Sequence, residues 1–431
     1  MRVSSGMIYD AGVSGINRQT STLLHTQQQI SADRRILTPS DDPVAAARAL
    51  EVQQNIDALS QFKRNQDAAT SALSLEDAQL GGANDLLLSA RTLAVQAGNT
   101  GLSASQRANI AMELRGDYQQ LLGIANATDG LGQSMFSGYM GGVTPFGGAV
   151  DNLIAGGEIV YSGDDGQRTL QIATGQQIAV SHSGSDVFKN IRGGNGYFST
   201  AYAAANTGGG IVDSGSVTDP VKWNVASTQN VQVKFTVSGG VTTYDLIDTV
   251  SGNSLLTGGP GPAPVANQRA YQSGQPIVLK AQGAEPAFDL GATLTISGAP
   301  ANGDSFSISP SSAQSVFSTL AKLIGALEAP TGAPGADAKY MSEIKSAITN
   351  LDQASGNILR VRAEVGAAMN RVDATAGMSA NMNLQYQQNL STLQDLDYAK
   401  TYSDLTRQQT NLQAAQQSFL KAAQLSLFNY L

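Results

Sequence analysis

A chain of 431 residues without a single cysteine has room for two or three domains, and it excludes disulfide frameworks, thiol catalysis and thiolate metal sites. Only 14% of its residues are charged, 26 basic against 34 acidic for a net charge of −8, which speaks against a nucleic-acid partner because phosphate neutralisation needs clustered Lys and Arg. No stretch approaches the roughly 20 apolar residues of a membrane span, and the opening residues lack the basic start and apolar run of a cleavable signal peptide.

From about residue 12 to 37 the pattern is helical and rich in Gln, Ser and Thr, with Ile16, Leu23, Ile30 and Leu37 recurring every seven residues. Such a column forms one seam of a helix and needs a partner. Yet the positions three and four residues on are Gln19, Thr20, Thr26 and Gln27, so the seam is half empty. Thr38-Pro39-Ser40-Asp41-Asp42-Pro43 then stops one helix and starts the next: Pro39 pushes Thr38 out of the helical region, Asp42 caps, and Pro43 fits a first turn.

The helix that restarts is long. Leu59, Gln66, Leu73, Leu80, Leu87 and Ala94 hold one heptad position, and Phe62, Ala69, Glu76, Ala83, Ala90 and Ala97 another. Gly81-Gly82 predicts a kink or local fraying, at roughly 1 kcal/mol per glycine relative to alanine. Ser103 with Gln106 reads as a capping box opening a further helix through Ile110, Leu114, Tyr118 and Leu121.

After residue 136 short alternating runs appear, at 158–161, 169–172 and 231–237, separated by turn signals such as Gly163-Asp164-Asp165-Gly166 and Gly239-Gly240. They predict an all-β region to about Ser309, with 191–216 as a loose connection and Gly258 to Pro264 as a hinge. Helical spacing returns at about Ala313, is broken from Pro330 to Gly335, and continues from about Ala336 to the end of the sequence. In that last stretch Tyr398, Leu405, Leu412 and Phe419 repeat every seven residues, with Thr401, Gln408, Ala415 and Ala422 beside them. The fold class expected is α+β: a long coiled-coil-like helical bundle built by both chain ends, carrying an inserted all-β outer domain.

Catalytic chemistry finds little support. The two histidines, His25 and His182, are far apart and have no evident partners, which favours structural or exposed roles. Asp164-Asp165 fits a β-turn as well as a calcium ligand pair, Asp41-Asp42 is accounted for by helix capping, and Gly208-Gly209-Gly210 lacks a phosphate-loop lysine. No enzyme activity, cofactor or metal is expected. The half-empty seams at both ends point instead to assembly.

Several local sequences resemble the flagellin-related hook-associated family. They are Arg34 to Ala47 (RRILTPSDDPVAAA), Arg91 to Asn99, Phe136-Ser137-Gly138-Tyr139, Tyr161 to Gly166, Val365-Gly366-Ala367, Ser391 to Ala399, and the close from Leu412 to Phe419 with Ser426 to Leu431. Pro39 and Pro43 around the acidic pair make the chain similar to the members at the hook–filament junction rather than to flagellin. Asp33 departs from the family's usual glycine, and Ala368-Met369 from a more polar pair.

The resemblance implies a structural adaptor between the hook-side junction protein and the flagellin filament, with its own copies in a ring. It also implies an export chaperone, no nucleic-acid or membrane partner, and a place in the extracellular flagellum reached without a cleavable signal. The expected organisation is an N-terminal assembly arm over 1–40, a helical core over 41–137 and 313–397, an outer β-rich domain over 138–312, and a C-terminal assembly arm over 398–431. Both arms are expected to be disordered in the monomer. The assembly interface comprises Ile16, Leu23, Ile30, Leu37, Tyr398, Leu405, Leu412 and Phe419, joined by Leu427 and Phe428. Pro39, Asp41, Asp42 and Pro43 form the helix-cap turn. A minor flagellin or a surface-displayed adhesin is the alternative.

Overall fold

The structure, a computed structural model, describes residues 5–99, 101–330 and 332–428, and their side chains apart from Ser5, Ile8 and 422–428. The chain forms two compact units: Met1–Asp67 with Gln171–Gln176 and Asp373–Leu431, and Ala68–Leu170 with Gln177–Val372. Its helices are α1 (Ser5–Ala32), α2 (Pro43–Ala97), α3 (Ala104–Ala125), α4 (Val150–Ile154), α5 (Pro220–Val225), α6 (Val316–Glu328), α7 (Ala336–Gln394) and α8 (Tyr398–Phe428). The architecture is α+β, with helical terminal regions and a strand-rich middle.

In the second unit α2 and α7 lie antiparallel, as Arg362 to Asp77 (2.8 Å) and Arg91 to Asp352 (2.6 Å) show. Of the twelve heptad residues expected on α2 all but Phe62 are buried; on α7 they are met in kind by Ile344, Leu351, Ile358, Val365 and Val372, again seven residues apart. The helix does not fray at Gly81-Gly82: α2 runs unbroken through both. A Cβ at Gly82 would stand 3.4 Å from Ile124 of α3, so the missing side chain lets another helix approach. The Ser103–Gln106 capping box opens α3 as expected.

Besides two-stranded pairs, the strand-rich middle holds two larger antiparallel sheets. One orders its strands Arg269–Ala270, Val241–Asp248, Val231–Ser238, Ser305–Pro310 and Phe198–Tyr202; the other pairs Asp289–Ser297 with Pro276–Lys280, Ile211–Val212 and Ser216–Val217. Alternate residues of both enter one core that includes Phe198, Val233, Leu246, Ile277, Leu294 and Phe306, with Trp223 of α5 against Phe198 at 5.0 Å. Gly239 and Gly240 close the hairpin at φ 59° and 79°, the positive pair a two-residue loop requires. A separate aromatic cluster, Tyr118, Phe146, Phe188 and Phe317, packs α3 and α6 against the chain between residues 135 and 190.

Other expectations need correction. The middle is not all β, since it contains α4 and α5. Residues 191–216 are not a loose connection: Phe198–Tyr202 is an edge of the five-stranded sheet, and a Cβ at Gly215 would strike the Phe198 ring at 2.6 Å. There small residues mark close approach. Gly258 to Pro264 is not a hinge either. Fully buried Asp245 accepts from the Ala263 N–H at 2.7 Å and the Ser254 hydroxyl at 2.6 Å, tying that loop to its strand. The last helical region is two helices, broken at 395–397, where Asp397 accepts the Lys400 N–H at 3.1 Å and opens α8. Among the described residues, no helix is long and apolar enough to cross a membrane.

Candidate assembly interface

The first unit holds α1 and α8 side by side and antiparallel. Phe419 lies over Gly12, where a Cβ would meet its ring at 2.6 Å, and its centroid is 5.1 Å from that of Tyr9. At the other end the Tyr398 hydroxyl donates to the Asp33 carboxylate, and that hydrogen bond, with the carboxylate's charge, raises the phenol pKa. The two contacts are 21 residues apart along each helix, so Ile16 stands level with Ala415, Leu23 with Gln408 and Ile30 with Thr401. Each large apolar residue thus faces a small or polar one.

The consequence is visible in burial. Ile16, Leu23, Ile30, Leu405, Leu412 and Phe419 are only half-buried, and Tyr398 is 55% exposed. Thr26 is buried but spends its hydroxyl on the Thr22 carbonyl at 3.0 Å. The side-chain carbonyls of Gln19 and Gln408 are buried without a hydrogen-bond partner among the described residues. Both are among the polar positions that the spacing sets beside the apolar column, and their burial is what the sequence does not reveal. The side chains of Leu427 and Phe428 lie outside the described residues.

Leu37 departs from expectation: α1 ends at Ala32, so Leu37 is in the turn and not on the helical seam. The stop comes from Asp33, whose φ of 53° is left-handed. The Arg34 N–H reaches back to the Gln29 carbonyl (3.1 Å) and the Asp33 N–H to Ile30 (3.4 Å), the Schellman pattern in which glycine is the usual residue. Asp33 thus keeps the geometry of a glycine at the expense of backbone strain.

Beyond it the cap turn is held from within. Asp41 accepts the N–H groups of Thr38 (2.8 Å) and Leu37 (2.9 Å) and contacts His25 Nε2 at 3.1 Å; the Thr38 N–H, with help from these others, holds its carboxyl down to about 2. So His25 does have a partner. Asp42 accepts the Ala45 N–H at 3.0 Å as the cap of α2, with Pro43 in the first turn after Pro39. Arg35 lies in the family-like motif but carries no local signal of its role: its backbone N–H donates to the Gln394 carbonyl (2.8 Å) and its guanidinium to the Leu393 carbonyl (2.9 Å), capping α7. The two interhelical turns are therefore latched together.

Farther along the unit, Gln66 of α2 donates to the Ile172 carbonyl (2.8 Å) and to Ser379 (3.3 Å) of α7. A groove of about 610 Å³ opens there, bordered by Leu59, Lys63, Gly377, Ala380 and Leu384. No grouping of three or more metal-ligating side chains occurs among the described residues.

The bacterial flagellin N-terminal helical region matches residues 3–140, and the bacterial flagellin C-terminal helical region matches residues 348–431. The crystal structure of the flagellar junction protein FlgL from Legionella pneumophila superposes with a TM-score of 0.68 at 30% identity, covering 82% of this chain and 100% of that one. The chain belongs to the flagellar hook-associated protein 3 family. The Salmonella typhimurium flagellar hook-associated protein 3 is 34% identical over 191 residues, 44% of this chain and 58% of the relative. The Escherichia coli K12 protein of the same name is 24% identical over 429 residues, 99% of each chain. The two flagellin-like regions include the seam residues and the cap turn.

Proposed function

We propose that the chain is a structural adaptor of the bacterial flagellum, forming the layer between the hook-side junction protein and the flagellin filament by coiled-coil packing of its terminal helices. The observation that carries this reading is the half-filled seam of α1 and α8, where six apolar residues stay half-exposed because their level partners are Gln, Thr, Ala and Gly. A helix pair of this kind gains little from itself and much from neighbours. The groove beside Gly377 and Ala380 offers a second surface lined with small residues for an adjacent helix.

In this reading Ile16, Leu23, Ile30, Tyr398, Leu405, Leu412 and Phe419 meet flagellin, the hook-side junction protein and copies of the same chain in a ring. Leu37, Leu427 and Phe428 extend the interface. Residues 1–40 and 398–431 act as assembly arms ordered by those contacts and shielded before assembly by an export chaperone. Their ordering cost falls on the binding step, which restrains premature polymerisation. The strand-rich middle faces outward, and the chain reaches the extracellular flagellum by flagellar export without a cleavable signal.

Electron microscopy of cells lacking the gene, with a blot of the medium for flagellin, tests this. Bare hooks with flagellin shed into the medium are expected. Absent filaments with no major flagellin in the medium would make the chain a filament subunit, and normal filaments would overturn the adaptor role.

A further inference from the structure

His182 lies between the strand Gln176–Ala179 and the turn Ser185–Lys189, its side chain only 7% exposed. Its backbone N–H donates to Glu76 Oε1 of α2 at 3.0 Å, and its ring Nδ1 is 2.9 Å from the same oxygen. On the opposite edge of the ring, Nε2 stands 3.5 Å from Glu364 Oε2 of α7. Asp186 adds a third carboxylate from the following turn. Arg360 of α7 is the cation facing this group, bonded to Asp186 at 3.0 Å and to Glu364 Oε1 at 2.7 Å.

The stoichiometry of protons decides what this arrangement can be. A neutral imidazole carries one N–H; whichever nitrogen holds it, the other turns a lone pair toward a carboxylate. Only the imidazolium offers a proton to both. We infer that His182 is held as a cation in the folded protein and clamps α2, α7 and the segment 180–190 together, a clamp that opens as the pH rises.

Burial by itself pushes the imidazole pKa down, but the hydrogen bond and charge of Glu76, with the charges of Glu364 and Asp186, outweigh it and raise the value. Arg360 divides its charge between Asp186 and Glu364, so it offsets only part of their pull. For a raised pKa the stabilisation is complete below the unfolded value of about 6.5 and is lost as pH climbs through the folded value. The clamp therefore weakens on the alkaline side.

With only two histidines in the chain, an NMR titration of the full-length protein resolves it, His25→Gln supplying the assignment. The His182 midpoint is expected above the ~6.5 of a free histidine, and Glu364→Gln, which alters a half-exposed side chain and leaves the fold intact, should lower it. In parallel the Tm of the wild type should fall on raising the pH through that midpoint, while the Tm of His182→Gln stays level over the same range. A midpoint at or below the free value, one that Glu364→Gln does not move, or parallel Tm profiles for wild type and His182→Gln would each overturn the clamp.

Discussion

The two helix pairs of this chain use one seven-residue period to opposite ends. In α2 and α7 the columns are complete: Leu73, Leu80 and Leu87 are 0–1% exposed, and Ile344, Leu351, Ile358 and Val365 meet them in kind. In α1 and α8 each layer sets one apolar residue against Gln, Thr, Ala or Gly, and the apolar residues stay half in water. A filled seam makes a helix pair that stands by itself, since each buried leucine contributes about 1.5–3 kcal/mol. A half-filled one is stable only when further helices complete its layers. Periodicity alone does not separate a structural bundle from an assembly surface; the occupancy of the partner positions does.

The comparison breaks most sharply at Leu412. Leu412→Asp places a charge on the half-filled seam and should abolish incorporation into the flagellum while leaving the circular-dichroism melt of the rest of the chain unchanged. Incorporation at the wild-type level would remove Leu412 from the interface. Leu80→Ala should do the reverse. It empties a site that is fully buried, costing about 2–5 kcal/mol in urea unfolding, and a loss under 1 kcal/mol would mean that the α2 seam is not the packed one.

How far the sequence reveals this follows from range. The α2 columns are legible because they depend on spacing within one helix, and the Asp42 and Ser103 caps because they depend on residues three apart. The break at 395–397 is hidden, as no glycine or proline marks it and Asp397 looks like one more polar helix residue. The Arg35 cap on α7 spans 358 positions and the His182–Glu76 pair 106, distances at which no local pattern operates. Gly81-Gly82 misleads because the glycine penalty applies to an isolated helix, whereas here the gap admits a neighbour.

Asp33 allows a finer adjustment of the same comparison, because it decides how firmly α1 ends just beyond its half-filled seam. With φ at 53° it bears the strain that glycine avoids. Asp33→Gly should raise the stability of the first unit by up to about 1 kcal/mol, read as a higher melting midpoint of the α1–α8 helical signal. A fall would show that the Tyr398 contact with its carboxylate outweighs the strain.

The smallest effect belongs to Asp41, an exposed carboxylate whose role is to hold the turn leading into α2. Its pKa lies at about 2, below an ordinary value of 3.8, because the folded turn supplies the N–H groups of Thr38 and Leu37 and the His25 ring to the charged form. For a depressed pKa the stabilisation is present above the unfolded value and is lost as pH falls through the folded one. Wild-type helicity should therefore weaken between about pH 4 and pH 2 more steeply than that of Asp41→Asn, whose side chain does not titrate. The other carboxylates are common to both chains, so the difference between the two acid titrations isolates this turn. Superimposable curves would mean that the turn is held by Asp42 and the latch through Arg35, and that Asp41 adds nothing to it.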